Sequence, residues 1–105
     1  MKPEDLTVTF VEDGKDKVRE IDKIILSSSA SWVTIAFLFS EADAEGGWRP
    51  HKVGLRRYRK RGGRFVVDKH FVLSSARQAH ELQRALARWF VDAPAATSEA
   101  IDDDD

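Results

Sequence analysis

The sequence predicts an α+β domain: a four-stranded antiparallel sheet followed by one C-terminal helix packed on one face, with a flexible acidic tail. Three observations carry this. Residues 32–40 (WVTIAFLFS) alternate at period two, with Val33, Ile35, Phe37 and Phe39 on one side and Trp32, Thr34, Ala36 and Leu38 on the other. A glycine pair, Gly62-Gly63, divides a basic stretch into two further alternating segments. After Ser75 the apolar period lengthens from two to 3.6.

Taken in order, residues 1–17 are charged around one apolar patch, Val8-Thr9-Phe10-Val11, and form either a leader or an extra edge strand. Glu12 to Lys15 has the composition of a turn. Residues 18–27 (VREIDKIILS) alternate and then end apolar, which predicts the first strand of the domain proper. Residues 32–40 are the central strand, because both faces are largely apolar and β-branched or aromatic residues dominate. An acidic loop, Glu41 to Gly47, follows. The third strand spans about His51 to Lys60 and the fourth Arg64 to Leu73, with a bulge near Lys69 that lets both halves bury their apolar residues. Ser75 with Gln78 has the spacing of a capping box. Ala79, Leu82, Leu86, Trp89 and Phe90 then make a helical stripe over residues 76–91, which Pro94 ends. The domain is therefore 18–92, and residues 93–105 form an acidic tail too poor in packing side chains to order.

The formal net charge of −1 conceals a segregation. Residues 48–70 hold nine cations (Arg49, Lys52, Arg56, Arg57, Arg59, Lys60, Arg61, Arg64 and Lys69) and one acid, Asp68. Elsewhere acids outnumber bases by about two to one. A basic hairpin in an acidic chain points to a polyanionic partner. The chain has no cysteine, which removes disulfide and thiol chemistry and fits a reducing cytoplasm. The apolar run Val33–Leu38 is far too short to span a bilayer, so no membrane role is expected.

No catalytic set emerges. His51, His70 and His80 lack metal-ligand spacing, and the alternating Glu41, Asp43 and Glu45 read as a solvated loop. The glycine pairs do not match a phosphate-binding loop, and Ser27–Ser29 lacks a nucleophile-elbow context. The expectation is a non-enzyme with no metal and no cofactor. In the hairpin, Tyr58 lies between Arg56 and Lys60 on one strand face, a ring interleaved with cations. With Trp32 and Trp48 it suits base stacking, while Lys52, Arg56, Arg57, Arg59, Lys60, Arg61 and Arg64 suit phosphates. The plainer alternative is a hairpin edge kept soluble by its charges. Trp89 and Phe90 extend the helix stripe; the simplest reading is core, and the other, since two adjacent bulky aromatics widen the face beyond what one small sheet needs, is a homodimer contact through Leu86, Trp89 and Phe90.

These pieces resemble the positive-cofactor-four family of transcriptional coactivators and its small bacterial relatives, and equally the Pur-type nucleic-acid-binding repeat. The likeness rests on Trp32, on Lys52-Val53-Gly54-Leu55-Arg56-Arg57-Tyr58, on Phe71-Val72-Leu73-Ser74-Ser75, and on Leu82 to Trp89, and it covers residues 18–91. It implies a dimer that binds single-stranded DNA without strong sequence preference, with Arg56, Tyr58 and Lys60 lining the groove. The expectation is thus a non-catalytic protein binding single-stranded nucleic acid, DNA before RNA, in transcription or DNA maintenance. The alternative is a protein–protein interaction adaptor whose basic hairpin docks an acidic partner.

Overall fold

A computed structural model describes residues 2–91. Five strands form one antiparallel meander in the order of the chain: β1 (Phe10–Glu12), β2 (Lys15–Ser28), β3 (Trp32–Glu41), β4 (Lys52–Arg61) and β5 (Arg64–Leu73). A 3-10 turn, Pro3–Asp5, precedes them and helix α1 (Ala76–Trp89) follows. The sheet therefore has one strand more than the four expected, because residues 10–12 pair with the start of β2. Both outer hairpins turn on residues that accept positive φ: Asp13 and Gly14 at 54° and 75°, Gly62 and Gly63 at 57° and 80°. The tail from residue 92 onward lies outside the described residues.

Strand β3 is central, as its composition predicts. Val33, Ile35 and Phe37 are fully buried and Phe39 nearly so. Their register partners extend this core face across β4, where Tyr58 lies opposite Val33, Arg56 opposite Ile35 and Gly54 opposite Phe37. Gly54 leaves room for the Phe39 ring, whose edge would come within 3.1 Å of any Cβ at that position. Two register shifts in β2, between Glu20 and Asp22 and between Ile25 and Ser27, place Ile21 and Leu26 outside the ladder. This is how the consecutive apolar residues Ile24, Ile25 and Leu26 are accommodated: Ile25 packs on the core, while Ile24 and Leu26 face outward. A further shift between Arg57 and Tyr58 leaves Asp68 of β5 unopposed, beside the Lys69 position where the alternation calls for a bulge.

The element covering the core face is not the helix. Residues 3–9 cross that face as a strap and bury Leu6 and Val8 against the β3 core. The Lys23 ammonium donates to the carbonyl oxygens of Glu4 (2.6 Å) and Leu6 (2.5 Å). The Thr7 hydroxyl donates to Glu20 Oε1, and the Glu20 N–H donates to Thr9 Oγ1. Helix α1, expected to pack on one face, instead leaves the sheet at the end of β5 and buries none of its residues. Its start is fixed locally. The Gln78 N–H donates to Ser75 Oγ at 3.2 Å, and Gln78 Oε1 accepts from the Ser74 N–H at 2.8 Å.

Candidate interaction surface

Side chains alternate across a strand, so the residues of β3 not in the core define a second, open face. One register row crosses four strands on that face: Ile24, Ala36, Leu55 and Phe71. The next row adds Leu38, Val53 and Leu73, and ends at Asp22. The result is a continuous apolar band. Ile24 is 61% exposed and Phe71 64% exposed, and Ala36, Leu38, Val53, Leu55 and Leu73 between and beside them are partly exposed.

Each end of the band is closed by an arginine stacked on a tryptophan. The Arg57 guanidinium lies 4.1 Å from the Trp32 ring centre and Arg59 lies 5.3 Å from it. Towards the other end, Arg19 sits 4.4 Å over Trp48. Trp48 is held there by its bridge to Ala42. The 42–48 loop is fixed by Asp43, whose Oδ1 accepts from the Glu45 N–H (2.9 Å) and the Gly47 N–H (2.8 Å). Those backbone donors hold the Asp43 carboxyl below its ordinary range.

The sheet is also charged end to end. Glu12, Asp13 and Asp16 of the first hairpin lie at the same end as Glu41, Asp43 and Glu45, since Val18 pairs with Glu41. Arg59, Lys60, Arg61 and Arg64 are exposed together at the opposite end, around the Gly62-Gly63 turn.

The residues assigned to nucleic acid are thereby separated. Trp32 and Trp48 reach the open face, but each carries a guanidinium of this same chain on its ring. Tyr58 does share the face of Arg56 and Lys60, yet that is the core face, and the ring is only 3% exposed. Lys52 is bound to Glu41 at 2.6 Å, and Arg57 Nε stands 3.5 Å from Asp68 Oδ2. Lys60 lies 5.5 Å from the Phe65 ring centre. Arg56 is half-buried on the core face, apart from the exposed tip. The three histidines fall on separate segments: His51 before β4, His70 in β5 and His80 in α1. Among the described residues, no three metal-ligating side chains stand together, and no helix is long and apolar enough to cross a membrane.

The predicted contact residues of the helix are open: Leu86 is 43%, Trp89 67% and Phe90 62% exposed, with Val91 beside them at 75%. The apolar band itself escaped sequence reading. Its signal is a cross-strand row, which becomes visible only once the register of all four strands is known.

No protein-family model matches the chain, and no curated protein matches it. Among solved structures it is similar to the association domain of C. elegans CaMKII, at 18% identity and a TM-score of 0.43, over 60% of this chain and 54% of that one. The chain thus spans about half the length of that neighbour. The expectation of single-stranded DNA or RNA binding, and of a role in transcription, is corrected here. The rings assigned to base stacking, Trp32, Trp48 and Tyr58, are buried or already stacked on arginines, so none of the three offers a free face to a base.

Proposed function

We propose that this chain is a non-catalytic protein–protein association module that pairs with a second copy of itself, each copy laying α1 on the open apolar band of the other. One observation carries the reading: among the described residues, a single chain exposes both an apolar sheet band and an apolar helix stripe. Isolated apolar residues on a surface are ordinary, but two contiguous complementary patches mark an interface.

The connector argues for a second copy over the chain's own helix. Only Ser74 and Ser75 separate β5 from α1, and both are tied to Gln78, so the helix is directed off the sheet that precedes it. The dimensions agree. Four strands at about 4.8 Å spacing make a band ~14 Å across. The stripe from Leu82 to Phe90 runs ~12 Å at 1.5 Å per residue. The charges agree too. The helix carries Arg77, Arg84 and Arg88 against Glu81, and the band ends at the exposed carboxylate of Asp22. Closed two-fold pairing satisfies both patches on both copies at once.

Sedimentation equilibrium at tens of micromolar is expected to give twice the 11.9 kDa chain mass. The double substitution Leu86→Asp with Trp89→Asp is expected to give the single-chain mass, with an unchanged far-ultraviolet spectrum because neither residue is buried. A natural chain found only at 11.9 kDa would falsify the reading.

The exposed tip supports a further partner of the same class. Arg59, Lys60, Arg61 and Arg64 project from the hairpin end with no acid among them, and so offer a docking point for an acidic protein surface. Immobilised protein is expected to retain poly-glutamate at low salt and release it as salt rises. Reversing Arg61 and Arg64 to Glu should abolish retention. Retention unaffected by that reversal would remove the tip from the account.

A further inference from the structure

We infer that the core face also holds a small-molecule site: a cavity of about 440 Å³ that accepts an apolar chain ending in a carboxylate. The inference is separate from the pairing proposed above: the cavity's Gly54, Arg56, His70 and Val72 share the core face, and of the band's residues only Leu55 and Phe71 line it.

The cavity forms where the strap, at residues 7–10, stands against the exposed half of β4 and β5. Its walls are mostly apolar: Val8, Phe10, Val18, Phe39, Leu55, Phe71 and Val72, with Thr7 and Thr9 of the strap among them. Its floor is Gly54, the one β4 position on this face without a side chain, and the Phe39 ring leans over it. The volume falls in the range of small-ligand pockets, roughly 300–1,000 Å³.

Its polar groups are unbalanced. Arg56 lines the cavity half-buried, and among the described residues no hydrogen bond or ion pair reaches its guanidinium. His70 lies directly opposite Arg56 across the β4–β5 ladder and lines the same cavity. Glu41 is also at the wall, but its Oε1 is held by Lys52 at 2.6 Å. The neighbouring cations of β4 are therefore matched, Lys52 by Glu41 and Arg57 by Asp68, while Arg56 is not. A half-buried cation without a counter-charge is costly, and an anion from outside removes that cost. A guanidinium fork fits a carboxylate through two parallel hydrogen bonds. One guanidinium balances a single negative charge, which favours a carboxylate over a phosphate dianion. The apolar walls then select a carboxylate that carries a hydrocarbon chain.

Decanoate, kept below its micelle-forming concentration, is the probe. Calorimetry on the full chain is expected to show saturable binding of one decanoate per chain. Amide shifts should centre on Phe39, Gly54, Arg56 and Val72. Arg56→Gln is expected to weaken binding about tenfold or more, through loss of a charge-assisted pair. Decylammonium, the same chain with the opposite charge, should not saturate. The proposal is overturned if decanoate fails to bind, if it binds no better than decylammonium, if Arg56→Gln leaves binding unchanged, or if the shifts centre on Ile24, Ala36 and Leu38. Sedimentation of Arg56→Gln should match that of the unsubstituted chain, so failure of this site and failure of the pairing are read separately.

Discussion

Deleting residues 2–9 is expected to unfold the domain. An antiparallel sheet with one buried face needs a second layer, and here that layer is the strap. Val33, Ile35 and Phe37 have no exposure at all, and the buried residues packed with them from outside the sheet are Leu6 and Val8. Burying those two side chains contributes about 1.5–3 kcal/mol each. Removing them also returns part of the β3 core to water. The combined loss, at least about 5 kcal/mol, is comparable with the 5–15 kcal/mol that holds a typical domain together. Lys23 loses both of its carbonyl acceptors at the same time. The milder Leu6→Ala should cost about 2–4 kcal/mol, since a buried leucine is replaced by a cavity that the strap only partly closes. Urea denaturation followed by circular dichroism measures both. A truncated chain that still melts cooperatively, within about 1 kcal/mol of the full chain, would show that the core face has another cover.

What the sequence reveals, and what it conceals, follows from the range of the interactions involved. The β3 alternation, the Gly62-Gly63 turn, the irregularity near Lys69 and the Ser75 cap are local, and each is present where its residues place it. The strap is different. Its packing residues are few, Leu6 and Val8, and their value depends on a face assembled from residues thirty positions away. The same limit misdirected the functional reading. Alternation correctly sets Tyr58 on one face with Arg56 and Lys60, but it cannot say which face is covered. Counting cations cannot say which are already matched. Lys52 and Arg57 find their carboxylates only through cross-strand register, and Trp32 and Trp48 find their guanidiniums the same way. The helix was legible as an amphipathic segment. Where its apolar side points depends on the two-residue connector, whose direction no pattern of hydrophobicity encodes.

Charging the open band is expected to abolish self-pairing as completely as charging the helix, and a mixture of the two defective chains should recover it in part. Ile24→Lys with Phe71→Lys puts two cations on the row that also holds Ala36 and Leu55. Both positions are mostly exposed in one copy, so the cost to the single chain is small, within about 1 kcal/mol. In the pair, each lysine would meet the partner's Leu86, Trp89 and Phe90, and burying an unmatched charge there costs several kcal/mol per contact. That is enough to move a micromolar association beyond the millimolar range, because each 1.4 kcal/mol is tenfold. The geometry makes a second, sharper claim. A band-charged chain keeps a sound helix, and a chain with Leu86→Asp and Trp89→Asp keeps a sound band. Mixed together, they can form one helix-on-band contact of the two in a reciprocal pair. Lysines facing aspartates across the other contact supply a favourable charge pairing in place of the lost apolar one. Sedimentation of the mixture is therefore expected to show a heterodimer that neither chain forms alone. Helix-on-helix pairing predicts otherwise: the band-charged chain would dimerise normally, and mixing it with the helix-charged chain would rescue nothing. Pairing of two bands face to face predicts a third pattern, in which charging the helix has no effect at all.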